Sequence, residues 1–229
     1  MAADHQDENL ERDLRLAEQF QRAYADAVLA GDERAAERVI REAIEAGLSE
    51  ALIGDHVIRP ALVLVGDLWA DGRITIADEH LATSISVRVL ALQREAFRVA
   101  RERASHRVMR AGVQGELHVV CLEMAASVIL HAGYDVRMIG ADLPVGDVAA
   151  AVTRHRPSVV GFTTATSLTA VNLPASFDAV RRGRPDAGIV VGGRAPQPGR
   201  AAGAGVAVCR HVADAVAQVD GLVKRAGRN

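Results

Sequence analysis

The chain has 229 residues, 49% of them apolar and 24% charged, with a formal net charge of -2; it is long enough for one large or two small domains and too evenly charged for a broad electrostatic grip on nucleic acid. No apolar run approaches the roughly 18 residues of a membrane span, the acidic start MAADHQDENLERD is not a signal peptide, and Cys121 and Cys209 form neither a metal-type pair nor a disulfide framework. These exclusions point to a cytoplasmic globular protein with no direct nucleic-acid partner and no membrane partner.

Residues 8–104 carry helical periodicity almost throughout. Leu10, Leu14, Ala17, Gln21, Tyr24 and Val28 follow one another at three or four residues. Gly31-Asp32 breaks that run, and Asp32 is placed to cap a second helix. Its stripe is Ala36, Val39, Ile40, Ala43 and Ile44, and Gly47 ends it. Ser49 caps a third helix, with Ile53, Val57, Ala61, Leu64 and Leu68 expected on one face. Asp71-Gly72 turns the chain, and a fourth helix runs from near Ile76 to about Arg103. Four helices joined by short turns make an up-and-down bundle.

From Ser105 the pattern changes, with the boundary in the charged stretch Arg101–Arg107. Short apolar runs at Arg107–Ala111, Asp135–Ile139, Ser158–Thr163, Gly188–Val191 and Val206–Val208 read as strands. Helical stretches near 118–132, 145–155, 168–182, 198–203 and 211–225 separate and follow them. Residues 105–229 are therefore expected to form a Rossmann-like, flavodoxin-like, five-stranded parallel α/β domain. Ligands of such a sheet sit at the carboxyl ends of the strands.

The loop after the first strand reads Gly115-Glu116-Leu117-His118-Val119-Val120-Cys121. A histidine there can offer one ring nitrogen to a metal, while a carboxylate two residues earlier accepts the other ring N–H and fixes the tautomer. Position alone is equally compatible with a solvated histidine beside a solvated glutamate. The rest of the half resembles the cobalamin-binding domain of methionine synthase, the mutases and their relatives. Their pattern is Asp-x-His-x-x-Gly, 41 residues, Ser-x-Leu, 26 to 28 residues, Gly-Gly. Here the run Glu116 to Cys121 is followed after 41 residues by Thr163-Thr164-Ala165, and after 26 more by Gly192-Gly193.

That resemblance implies that His118 ligates cobalt from below in place of the dimethylbenzimidazole base. It also implies that the base and its nucleotide tail enter a slot beside Thr163, Ala165, Gly192 and Gly193. Glu116 and Thr163 keep the acceptor and the hydroxyl of the pattern. Cys121 in place of glycine adds bulk near the slot, and Ala165 in place of leucine leaves room.

In the bundle half, Trp69 is followed by nine residues and then Glu79-His80. A lone tryptophan at helical spacing usually packs in a core, and a glutamate in a first helical turn suits the helix dipole. The joint spacing, however, resembles the cap bundle of cobalamin-dependent photoreceptors of the CarH type. In that family a Trp-x9-Glu-His signature covers the upper face of adenosylcobalamin. The resemblance places Trp69, Glu79 and His80 around the adenosyl group. The chain departs from the pattern twice: no helix-turn-helix precedes the first bundle helix, and Ala70 stands where those regulators carry a histidine.

The implied function is a light sensor, not an enzyme, in which photolysis of the cobalt–carbon bond changes conformation, homo-oligomeric assembly or the binding of a downstream partner. Stand-alone sensors of this layout resemble the photocobilins, which add a bilin such as biliverdin as a second chromophore, although no motif here demands one. The rival readings are a corrinoid protein of a methyltransferase system and a cobalamin carrier.

Overall fold

A computed structural model describes residues 2–96, 105–195 and 205–226. The expected end of the fourth helix, the expected domain boundary and the helical stretch near 198–203 lie wholly or mostly outside these residues. The chain divides into two compact units, Met1–Phe97 and Arg98–Asn229.

The first unit is all helical. Helices α1 (Ala2–Leu29) and α2 (Glu33–Glu45) are joined by a tight turn. Gly31 adopts a φ of +68° there, a conformation that favours glycine, and Asp32 Oδ1 caps α2 by accepting from the Ala35 N–H at 2.9 Å. Ser49 caps the short α3 (Glu50–Leu52), which continues through a π-helical turn at Ile53–Ile58 into α4 (Arg59–Ala70). Pro60 has no N–H to donate, and its ring crowds the carbonyl of the preceding turn, so the backbone widens just before it. The wider turn keeps every fourth residue on one face. Ile53, Val57, Ala61 and Val65 are all buried, whereas Leu64, expected in that row, is exposed.

Helix α5 (Ile76–Ala96) completes the bundle. Tyr24 of α1 is fully buried and donates to Ser86 Oγ of α5 at 3.0 Å, and Ser86 in turn donates to the Ala82 carbonyl at 2.9 Å. Burial pushes the Tyr24 phenol up to about 12. Arg88 of α5 clamps both carboxylate oxygens of Glu33 on α2, at 2.5 and 2.8 Å.

The second unit is a parallel sheet with helices on both faces. Its strands are β1 (Arg107–Val113), β2 (Asp135–Leu143), β3 (Val159–Thr163), β4 (Gly188–Gly192) and β5 (Val206–Cys209), in the order β2-β1-β3-β4-β5. The five-stranded parallel α/β architecture expected from the sequence is the one observed. β2 runs four residues beyond its expected end, because register shifts against β1 let the edge strand continue through Gly140, whose φ is +109°. The helices are α6 (Val120–His131), α7 (Val145–His155), α8 (Ser167–Ala170), α9 (Leu173–Gly183) and α10 (Ala215–Ala226). The single stretch expected at 168–182 is thus two helices, with Pro174 at the start of the second.

Side chains alternate across the sheet. Met109, Ala111 and Val113, with Val160, Phe162, Ile189 and Val191, form the core that packs on α7 and α9. The opposite face carries Arg110 and Gly112 on β1, Gly161 and Thr163 on β3, and Val190 and Gly192 on β4. Strand order reverses between β1 and β3, so the loops after these two strands open a crevice at their carboxyl ends, where ligands of such sheets bind.

Candidate functional site

The β1–α6 loop occupies that crevice. Gly115 turns it with a φ of +82°, and its N–H donates to Asp142 Oδ1 at 2.7 Å. Gly112 lets the loop fold back closely, since a Cβ there would lie 2.9 Å from the Glu116 carbonyl. The result buries Glu116 completely while 62% of the His118 side chain stays exposed.

Four groups meet the Glu116 carboxylate. Oε1 accepts from the His118 backbone N–H at 2.9 Å and meets His118 Nδ1 at 2.5 Å. Oε2 accepts from the Ala165 backbone N–H and, at 3.0 Å, from the Thr169 hydroxyl. Burial alone pushes this carboxyl up, but the His118 ring, the Ala165 N–H and the His118 N–H together outweigh it and hold the group at about 2. Glu116 is therefore a carboxylate near neutral pH, Nδ1 of His118 carries the proton, and Nε2 is the nitrogen suited to a metal.

The β3 loop is tied to the same carboxylate. Thr164 Oγ1 meets Thr169 Oγ1 at 2.6 Å. Gly193, with a φ of +108°, is required by backbone packing, because a Cβ there would lie 2.1 Å from the Thr164 carbonyl oxygen. Gly192 is different: a Cβ would meet only ordinary contacts, so its lack of a side chain leaves room beside Thr163. Glu116, His118, Ala165 and Thr163 with Gly192-Gly193 thus border one crevice, and Cys121 lies in the first turn of α6 behind it.

Sequence reasoning missed Thr164, Thr169 and Asp142, whose roles depend on loops meeting in space. It also missed the exposed leucines Leu117 and Leu168, chain neighbours of His118 and Thr169, which give the crevice an apolar rim.

In the bundle, the turn at 71–75 puts the last turn of α4 and the first turn of α5 at the same end. Thr75 and Asp78 form a reciprocal cap: the Thr75 N–H and hydroxyl donate to Asp78 Oδ2 at 2.8 and 2.7 Å. Those bonds hold the Asp78 carboxyl below its ordinary range. Glu79 accepts from the Thr83 hydroxyl at 3.0 Å, and His80 Nε2 lies 3.7 Å from Glu79 Oε2. Trp69 is not a core residue: 47% of it is exposed, with Ile76 half exposed at the same end.

The first helical region, residues 21–93, and the α/β region, residues 106–220, each match a B12 binding domain model. The chain belongs to the B12-binding family. Its second model alone spans half the chain, and the cofactor class is cobalamin or another corrinoid. Among curated proteins, this B12-binding chain is 30% identical over 169 residues to the HTH-type transcriptional repressor CarH of Myxococcus xanthus. That match covers 74% of this chain and 55% of the repressor, so the chain spans about half of that relative's length. It is 24% identical over 152 residues to trimethylamine corrinoid protein 2 of Methanosarcina acetivorans, covering 64% of this chain and 69% of the relative. The fold matches the monomethylamine corrinoid protein of Methanosarcina barkeri with a TM-score of 0.70 at 13% identity, covering 88% of this chain and 96% of that one.

The crevice fits a corrinoid on its own chemistry. Among the described residues no group of three or more His, Cys, Asp or Glu could hold a metal ion. His118 offers one oriented ring nitrogen, the single protein donor that a corrin-held metal would take. Also among the described residues, no helix is long and apolar enough to cross a membrane.

Proposed function

We propose that the chain is an adenosylcobalamin-binding light sensor and not an enzyme. The observation that carries this reading is the exposure of Trp69 in the last turn of α4, at the end of the bundle where α5 opens with Glu79 and His80. Trp69 shares that end with the half-exposed Ile76, and an exposed apolar patch suits a bound partner. With a carboxylate and an imidazole at the same end of the bundle, that surface suits a nucleoside, which has apolar faces and hydroxyl edges. The 30% identity to the CarH repressor supports the same choice.

In this reading His118 ligates cobalt through Nε2, and Glu116 holds its ring and raises its basicity. Thr163, Ala165, Gly192 and Gly193 border the nucleotide tail, with Cys121 nearby. Trp69, Glu79 and His80 contact the adenosyl group. Bound adenosylcobalamin supplies a cobalt–carbon bond that light cleaves, and loss of the adenosyl group withdraws the contacts that Trp69 and Glu79 make only in the dark. The two states then differ in self-association or in affinity for a protein partner. A bilin as a second chromophore rests on resemblance alone. New long-wavelength absorption after co-expression with a bilin source tests it.

The deciding experiment is the absorption spectrum of the adenosylcobalamin-loaded protein before and after illumination. The sensor reading expects histidine-ligated cobalt in the dark and a stable, spectrally distinct product in the light. A chain that prefers methylcobalamin, and whose loaded form passes its methyl group to a thiol acceptor, belongs instead with the methyltransferase corrinoid proteins.

A further inference from the structure

The sheet face opposite the main core carries a buried charge that has no carboxylate partner among the described residues. Arg110 projects from the middle of β1 and is 3% exposed. Its side chain lies flat across Gly161 of the neighbouring strand: a Cβ at Gly161 would fall 2.8 Å from Arg110 Cδ and 2.6 Å from its Nη1. Nη2 donates to Thr163 Oγ1 at a long 3.3 Å, and Nε has no hydrogen-bond partner. Among the described residues no carboxylate pairs with this guanidinium. The groups that bear on its charge are the thiols of Cys209 and Cys121, and an ordinary thiol is mostly neutral near pH 7. Burial pushes the Arg110 guanidinium down to about 10, which still leaves it charged.

The residue type is the clue. A leucine or methionine would fill the same space over Gly161 without taking a cation out of water, a cost of several kcal/mol per ion. The register places Arg110 beside Gly161 and, one row nearer the carboxyl ends, Gly112 beside Thr163 beside Gly192. The guanidinium therefore reaches toward the part of the crevice bordered by Thr163 and Gly192. A planar fork of N–H donors held there is a receptor for a planar or tetrahedral oxyanion.

We propose that Arg110 is the anion receptor of the slot and pairs with the phosphodiester of the cobalamin nucleotide tail. This rests on the cobalamin reading of the crevice and adds the residue that distinguishes tailed from tailless corrinoids. The phosphodiester is the one anionic group that the tail brings, and Thr163, whose hydroxyl now accepts from Arg110, becomes available to the tail when the guanidinium turns to the phosphate.

The test compares cobalamin with cobinamide, a corrinoid that lacks the nucleotide and its phosphate, by spectral titration of the full chain in the dark. Wild type is expected to favour cobalamin. Arg110→Met should weaken cobalamin binding by about tenfold or more and leave cobinamide unchanged. Arg110→Lys should fall between, since it keeps the charge and loses the fork. The free Arg110→Met protein should melt at or above the wild-type temperature, because an unpaired buried charge has been removed. If Arg110→Met does not fold, the Arg110→Lys ratio decides alone. An unchanged cobalamin-to-cobinamide ratio, or tighter cobalamin binding in Arg110→Met, overturns the inference and makes Arg110 a plug. Failure of wild type to bind either corrinoid overturns the cobalamin reading of the crevice, and this inference with it.

Discussion

Glu116 decides what His118 can do. A fully buried carboxylate that accepts four hydrogen bonds leaves the imidazole one orientation and one tautomer, with the ring turned outward. On the cobalamin reading, replacing His118 with alanine removes the cobalt ligand and keeps three of the four hydrogen bonds to Glu116. His118→Ala should therefore fold normally and lose the histidine-ligated cobalt spectrum, and an unchanged spectrum would show that another group ligates cobalt. Glu116→Gln tests the cradle. An amide keeps the shape but turns an N–H2 toward donors, at a cost of about 1–3 kcal/mol. The sign with pH follows from the carboxyl standing at about 2 against an ordinary 4.5. Its stabilising contribution is fully present above pH 4.5 and is lost as pH falls toward 2. Urea denaturation across that range should show the gap between wild type and Glu116→Gln closing in acid. A gap constant from pH 7 to pH 3 would mean that the carboxylate's charge is not what stabilises the loop.

At the scale of elements, α4 and α5 expose at one end what bundles normally bury. Removing a buried tryptophan costs about 3–5 kcal/mol, whereas a surface substitution usually stays within about 0.5 kcal/mol. Trp69 belongs nearer the second case. Trp69→Ala should leave the melting temperature almost unchanged and erase the preference for adenosylcobalamin over methylcobalamin, by about tenfold for a desolvated aromatic contact. A large loss of stability with the preference intact would make Trp69 a packing residue after all. These two helices also show how far sequence reasoning reaches. Asp32 and Ser49 announce their helices by side-chain chemistry, and the strand-helix alternation after Arg107 announces the parallel sheet. Both are local signals. The displacement of Leu64 by Val65 comes from the π-helical turn at Ile53–Ile58, which Pro60 signals only in hindsight. The clamp of Thr169 and Ala165 on Glu116 joins residues about fifty positions apart through backbone geometry, and periodicity carries no trace of it. The Glu116, His118, Thr163 and Gly192-Gly193 spacing is legible through its resemblance to a known cobalamin-binding pattern, and the strand order brings the loops that carry it to neighbouring strand ends. Arg110 was hidden in an apolar strand pattern, where a single charge looks like an edge residue until its neighbours across the sheet are known.

For the whole molecule, the question is what a change at one cofactor alters on the outside. In the proposed sensor, contacts from Trp69 and Glu79 to an adenosyl group would exist only while that group is attached, so its loss would remove an interaction that holds one state over the other. Shifting a two-state equilibrium from mostly one form to mostly the other takes about 5.5 kcal/mol of differential binding, and a tenfold Trp69 contact adds about 1.4 kcal/mol to it. In that reading the illuminated state would leave the Trp69 end of the bundle without a ligand, and an exposed apolar patch there would favour association or a partner. A net charge of -2 sets no strong repulsion against self-association. The adenosylcobalamin-loaded chain is therefore expected to be a homo-oligomer whose mass or radius differs between dark and light, measured by size-exclusion chromatography with light scattering. Trp69→Ala, lacking one dark-state contact, should shift part of the way toward the illuminated form in the dark. The position after the tryptophan is Ala70, so the illuminated cobalt should take water, or His80, as its upper ligand. A bis-histidine spectrum that persists in His80→Ala would refute that ligand assignment. Identical mass, radius and partner binding before and after illumination, in wild type and Trp69→Ala alike, would mean that photolysis drives nothing and that the chain carries cobalamin without sensing light.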